Sequence, residues 1–366
     1  MEQVIPTQKL RLCLSLDESN ALKGIALVLL LCHHLFYIQN GLFDDIYISG
    51  HGLVNTFGIL CKVCVALFVF LSGYGLTASV KKFSIIDWKH FFLHRYIKLY
   101  LNYWLIWILF VPFGVFCLDI GFERVYGNDF FLPFIADLTG TINMFGRYGY
   151  NPTWWFYSCI IVLYALFPLI LKALNRPFVL CAMLVVSLGL ILVPITFIQP
   201  IKFYLITFIL GCLFYKGLIF SKLPPPRIYW IRGKLDSVLK GELSFCGCLI
   251  LWLLLLGMVI FRLKAGRFAM LIDTLIAVQI ILIFKNISSK KSHYMFQFLG
   301  RHSFNIFLFH TFIYYLYFEE IIYWSKNPIA IFLTLILICV IISYAIETGK
   351  LKIKFNKLQD KLLRVI

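Results

Sequence analysis

Ionisable side chains inside long apolar runs are the residues of this chain best placed to do chemistry, because a charge in hydrocarbon is costly and persists only with a task or a partner. The candidates are Lys23, His33, His34, Lys62, Asp273, His310, Glu319, Glu320 and Glu347. Lys23, Glu319, Glu320 and Glu347 stand near the ends of their runs, within snorkelling reach of water. The adjacent pair His33 and His34 lies ~18 Å into the first run, beyond the middle of a ~30 Å hydrocarbon core. Lys23 precedes His34 by eleven residues, which places the two within ~20° on one helix face and ~16 Å apart, with His33 ~80° away from that stripe. A neutral imidazole with a pKa near ~6.5 is the usual general base for a hydroxyl nucleophile, so His34 is the candidate base. The alternative is a buried neutral imidazole bonded to a carbonyl or a serine. At most one of the two histidines is expected to face the bundle axis, the other packing on a neighbouring helix.

These residues sit on about ten apolar segments, at 21–38, 53–76, 98–118, 153–172, 178–197, 202–219, 244–261, 267–285, 303–323 and 328–348. About 20 apolar residues span a bilayer as a helix, and lipid tolerates only helices or closed barrels. The spacing therefore predicts an all-α, polytopic integral membrane protein with residues 1–366 forming a single domain. A mean hydropathy of +0.88 and only 14% charged residues, against about 25% in soluble proteins, exclude a soluble globular enzyme. The net charge of +17 is spread by topology and forms no single patch, which argues for anionic lipid heads and against nucleic acid. Most of the 34 Lys and Arg fall on the side of the N-terminus, so the positive-inside rule predicts cytoplasmic N- and C-termini. The first run has no small-residue cleavage site and is expected to remain as the first helix.

The 11 cysteines lie mainly within the predicted spans. Cys61/Cys64 and Cys246/Cys248 have no partner pair or His at zinc spacing, so they read as packing residues, with no metal site. Ser19 or Asn20 is expected to cap the first span. An outer connection at 119–152, carrying Asp119, Glu123, Asp129 and Asp137, is expected to fold over the outer mouth. An inner one at 220–243 opens on Pro224, Pro225 and Pro226 and reads as a stiff basic linker. The tail from Lys350 reads as an amphipathic stretch on the inner surface.

Lys23, ten intervening residues and His34 resemble the signature of the acyltransferase 3 family, bacterial membrane-bound enzymes that O-acylate surface carbohydrates. Three further stretches agree in order: Phe68 to Leu76, Trp154-Trp155-Phe156 through Tyr164 to Pro168, and Leu299 to Ser303 continuing to His310. The resemblance covers most of the chain. It implies about ten spans acting as one unit in the bacterial cytoplasmic (inner) membrane, no permanently bound cofactor, acyl-CoA (acetyl-CoA foremost) as cytoplasmic donor, and a carbohydrate hydroxyl as acceptor in a polysaccharide O-acetylation. It makes His34 the catalytic histidine and Lys23 its motif partner, steadying a coenzyme phosphate or bonding a buried side chain. Many members carry an acidic residue in the fourth-span motif where Ser158-Cys159-Ile160-Ile161 stands here, which weakens an acid-assisted mechanism; Ser158 is expected among the substrate-binding residues.

The remaining candidates fit that picture with alternatives open. Lys62 either faces the cavity, to contact the donor or polarise an acyl carbonyl, or snorkels to the outer interface. Ser72 and Tyr74, beside Gly73 and Gly75, either let a ligand approach the backbone or serve close helix packing. Arg95, with Lys89, His90, His94 and Lys98, either holds coenzyme phosphates or is an ordinary basic inner loop; Arg301 shares that ambiguity. His310 lines the donor channel or bonds a neighbour. Trp154 and Trp155 are an interfacial belt or a stacking platform for a sugar ring. Outside the resemblance, a transporter or flippase for a polysaccharide precursor would also need a polar path through the bundle.

Overall fold

The computed structural model describes residues 12–80, 86–193, 199–217, 236–287 and 293–365. The proline-led part of the inner linker, with Arg227, Arg232 and Lys234, lies outside the described residues. The regular structure of the described residues is helical apart from one hairpin of two short strands. Among the described residues, seven helical stretches are long and apolar enough to cross a membrane: Leu16–Phe36, Leu53–Val80, Trp88–Cys117, Pro152–Ala173, Phe245–Lys264, Ala269–Asn286 and Pro328–Lys352. The fifth predicted span is a shorter helix, Pro177–Leu192 of 16 residues. The sixth is the 18-residue Gln199–Lys216, and the ninth is interrupted. The protein is thus an all-α, multi-pass membrane protein.

The first helix, α1 (Leu16–Phe36), starts earlier than the sequence signal because Ser15, not Ser19 or Asn20, caps it. Ser15 Oγ accepts from the Glu18 amide while Glu18 accepts from the Ser15 amide, a capping box. Glu18 also pairs with Lys285 at 2.7 Å. A hairpin of β1 (Tyr47–Ile48) and β2 (His51–Gly52) turns at Ser49-Gly50, both at positive φ. Asp45 then accepts from the amides of Val54 and Asn55 and so satisfies the start of α2 (Leu53–Leu60). The predicted second span is not one rod: Cys61 and Lys62 form a turn between α2 and α3 (Val63–Val80).

The other long elements are α4 (Trp88–Cys117), α7 (Trp155–Ala173), α8 (Pro177–Leu192), α9 (Gln199–Lys216), α10 (Phe245–Lys264), α11 (Ala269–Ile287), α12 (His293–Thr311) and α14 (Pro328–Lys352). The short helices α5 (Phe122–Tyr126), α6 (Phe131–Leu138) and α13 (Glu319–Tyr323) join them, and α15 (Phe355–Val365) closes the chain. Only 6% of the most apolar stretch of α10 is buried in the protein, as expected of a helix whose neighbour is lipid.

Two close crossings hold the bundle together. On α1 and α12, a Cβ on Gly24 would lie 2.0 Å from the Phe296 carbonyl oxygen, and one on Gly300 1.8 Å from that of Asn20. On α3 and α9, Gly73 meets the Phe208 carbonyl and Gly211 that of Phe70 in the same way. Backbone-to-backbone approach through small residues is how membrane helices gain dispersion contact where no hydrophobic drive separates protein from lipid.

The 119–152 connection is ordered by one buried carboxyl. Asp137, on α6, accepts from Tyr126 Oη at 2.6 Å and from the Tyr150 amide at 2.7 Å, while Tyr103 Oη donates to its carbonyl at 2.6 Å. Burial pushes the Asp137 carboxyl up to about 6, against the lowering effect of these donors. A carboxyl raised in the folded state stabilises the fold while protonated. That contribution is full below the unfolded value of ~3.8 and is lost as pH rises through about 6. Thermal unfolding in detergent between pH 4 and pH 8 is therefore expected to show stability falling from about pH 4 to about pH 6 and levelling off above it, and Asp137→Asn should flatten that fall.

Candidate active site

Two cavities open into the bundle, one around His34 and one around Lys23. The first, of about 530 Å³, is lined by His33, His34, Tyr37, Lys62, Trp155, Tyr204 and residues 143–148 of the long connection, which does fold over this mouth. A side lobe of about 290 Å³ shares His34, Tyr37, Tyr148, Thr153 and Trp155, and adds Tyr314, Tyr315, Asn40 and Glu319. His34 therefore stands where the two lobes meet.

The histidines are held from several elements. His33 Nδ1 donates to the Gly58 carbonyl at 2.8 Å, which ties α1 to α2. Both histidines line the cavity, contrary to the expectation that one would turn away; the break at Cys61-Lys62 opens space beside the face that His33 occupies. His34 Nδ1 lies 3.4 Å from Tyr314 Oη, and its ring centroid is 4.9 Å from that of His310. His310 is fully buried, and its Nδ1 donates to the Phe307 carbonyl at 2.9 Å, so its Nε2 is the acceptor nitrogen. Directly after Thr311 the chain makes six residues of π-helix, Phe312–Tyr317. Such turns recur at functional sites because they re-aim side chains; here Tyr314 stacks on His310 with centroids 5.9 Å apart.

Lys62 lines the His34 cavity from the turn between α2 and α3. Asp273, another sequence candidate, is taken by Arg262: Nε–Oδ1 is 2.9 Å and Nη2–Oδ2 is 3.3 Å, with both side chains buried. Lys62 therefore has no claim on that carboxylate; it borders the cavity within electrostatic reach of the pair.

The second cavity, of about 570 Å³, is lined by Lys23, Ser72, Arg95, Lys98, Arg301 and Lys350, with Glu347 the one carboxylate. That carboxylate is already engaged, accepting from Lys350 Nζ at 2.7 Å and Asn305 Nδ2 at 2.6 Å. Lys350 also donates to Asn102 and Asn305, joining α4, α12 and α14. Lys23, Arg95, Lys98 and Arg301 are left to face the space, a cationic chamber suited to a polyanion. Phe355 and Gln359 of α15 complete its wall, so the amphipathic tail borders this chamber. Lys89, His90 and His94 do not line it.

Three predicted site residues are placed elsewhere. Tyr74 Oη donates to the Leu12 carbonyl and accepts from the Leu14 amide, anchoring the segment before α1. Trp154 is buried at 1% exposure with Nε1 donating to the Leu308 carbonyl at 2.9 Å, so it is neither belt nor sugar platform. Ser158 Oγ donates to the Gly140 carbonyl and pins the long connection. In each, a polar handle on a large or helical side chain is used to satisfy backbone. The sequence reading missed Tyr314, Tyr37, Asn102 and Asn305. Only Tyr314 carried a local signal, four residues beyond His310 on one face.

A family model described as an acyltransferase domain matches residues 16–348. No curated protein and no solved structure matches the chain.

Proposed function

The chain belongs to the acyltransferase 3 family and is a membrane acyltransferase, and from that premise we propose that it moves a short acyl group, acetyl foremost, from acyl-CoA to a hydroxyl of a cell-surface or exported carbohydrate in the bacterial inner membrane. The observation that carries this reading is the placement of one imidazole, His34, in a polar, aromatic-walled cavity that adjoins a chamber lined by Lys23, Arg95, Lys98 and Arg301, none of them paired with a carboxylate among the described residues.

In the proposed reaction the coenzyme phosphates rest against Lys23, Arg95, Lys98 and Arg301, and the thioester reaches toward His34. Tyr314 Oη accepting from Nδ1–H leaves Nε2 as the basic nitrogen. Nε2 takes the acceptor's hydroxyl proton as that oxygen bonds the acyl carbon, and Lys62 steadies the oxyanion of the tetrahedral intermediate. Collapse breaks the C–S bond, and the imidazolium returns the proton to the departing thiolate. The ester and free coenzyme A leave. Trp155 and the tyrosines of the side lobe offer flat apolar faces to the C–H side of a sugar ring, with Asn40 and Glu319 as hydrogen-bond partners.

The test is coupled consumption: purified protein with acetyl-CoA and the glycan fraction of its host should release free coenzyme A and O-acetyl ester in equal amounts. A transporter would leave acetyl-CoA intact. The charge-removing double variant Lys23→Gln/Arg301→Gln is expected to raise KM for acetyl-CoA at least ~10-fold while kcat falls much less, because phosphate contacts bind ground and transition states alike. A fall in kcat at constant KM would remove these residues from donor binding.

A further inference from the structure

The two cavities share only three lining residues, Phe68, Phe156 and Phe307, one each from α3, α7 and α12. Their rings form a contiguous cluster: Phe156 and Phe307 meet edge to face at 5.2 Å between centroids, and Phe68 lies 6.3 Å from Phe156. Cations crowd one side of this ring cluster and His33, His34 and Lys62 the other. These three rings therefore stand where the two polar chambers adjoin.

We propose that Phe68, Phe156 and Phe307 form a gated neck through which only the acyl-bearing end of the donor passes, so that they select the acyl group by its cross-section and keep bulk water from the thioester. The inference rests on the donor reading above. A phosphate-bearing head cannot cross an aromatic constriction without losing its hydration and its cationic partners, whereas the uncharged acyl thioester at the end of the arm crosses at a far smaller desolvation cost. The donor is thereby oriented with its head in the Lys23 chamber and its carbonyl at His34. Displacement of the rings, each standing on a different helix, would be coupled to arrival of the arm. With the arm seated, the same rings pack around it and exclude water.

Phe156→Ala, Phe307→Ala and the milder Phe156→Leu and Phe307→Leu test the neck, read against native protein at equal folded abundance. With acetyl-CoA and isobutyryl-CoA as probes, the kcat/KM ratio of branched to linear donor is expected to rise at least ~10-fold in the Ala variants and by less in the Leu variants, from relief of a steric exclusion. Acceptor-free release of coenzyme A should rise in the same order, as water reaches the thioester. An arm independent of turnover uses proteoliposomes with an imposed pH gradient: the Ala variants should pass protons several-fold faster than native protein. If native protein fails to consume acyl-CoA, the donor reading falls and the proton arm alone judges the partition. Folded variants, Leu or Ala, whose donor ratio, hydrolysis and proton flux all match native protein would overturn the neck.

Discussion

Replacing His34 by alanine is expected to lower acyl transfer by roughly 10²- to 10⁴-fold, the range that a positioned general base supplies, with membrane abundance little changed. The side chain borders a cavity and its contact with Tyr314 Oη is long at 3.4 Å, so its removal breaks no strong hydrogen bond, although ring contacts with His33, Tyr37 and His310 go with it. His33→Ala makes the informative comparison. It deletes a 2.8 Å bond between α1 and α2, and its cost should appear first as lower thermal stability, with a smaller loss of rate. Ester formation on surface glycans, compared between cells making native and variant protein at equal abundance, is the measurement. Undiminished acylation in His34→Ala would remove the mechanism.

The second large effect is expected at Gly24 and Gly300. The atom a new Cβ would strike is a backbone oxygen at 2.0 Å or 1.8 Å, which cannot rotate aside as a side chain would. Alanine there must push α1 and α12 apart. Overpacking of this kind typically costs about 1–3 kcal/mol, and the displaced helices carry His34 and His310. Gly24→Ala and Gly300→Ala should each lower the Tm in detergent by several degrees and lose most transfer activity. Gly257→Ala, on lipid-facing α10 with nothing near its Cβ position, should hold its Tm or gain slightly, since alanine is the better helix former. Equal behaviour of the three variants would mean that the crossing does not govern the site.

Much of the site's axis was legible before any coordinates. An eleven-residue separation is close to three helical turns, so Lys23 and His34 had to share a face and differ in depth, and they open on different cavities. What sequence periodicity could not carry was the break at Cys61-Lys62, because neither residue is a helix breaker and the interruption comes from tertiary demands. Those demands are the His33 bond to Gly58 and the Asn55 Nδ2 bond to the Phe36 carbonyl at 2.9 Å. The fate of Trp154 was hidden for a related reason: an indole at a span end satisfies the belt pattern equally well whether lipid or Tyr103 and Phe312 surround it. Lys350 read as one more tail lysine until α4 and α12 supplied two asparagines to receive it.

The short α2 helix hangs from α1 by the His33 and Asn55 bonds and leads into the turn that holds Lys62. His34 and Lys62 consequently belong to one locally wired unit, built from neighbours in sequence. The walls that would meet an acceptor come largely from distant stretches, such as residues 143–155 and 314–319. Such a division of labour means that substitutions in the receiving walls can reshape the mouth while the corner holding His34 and Lys62 is left undisturbed.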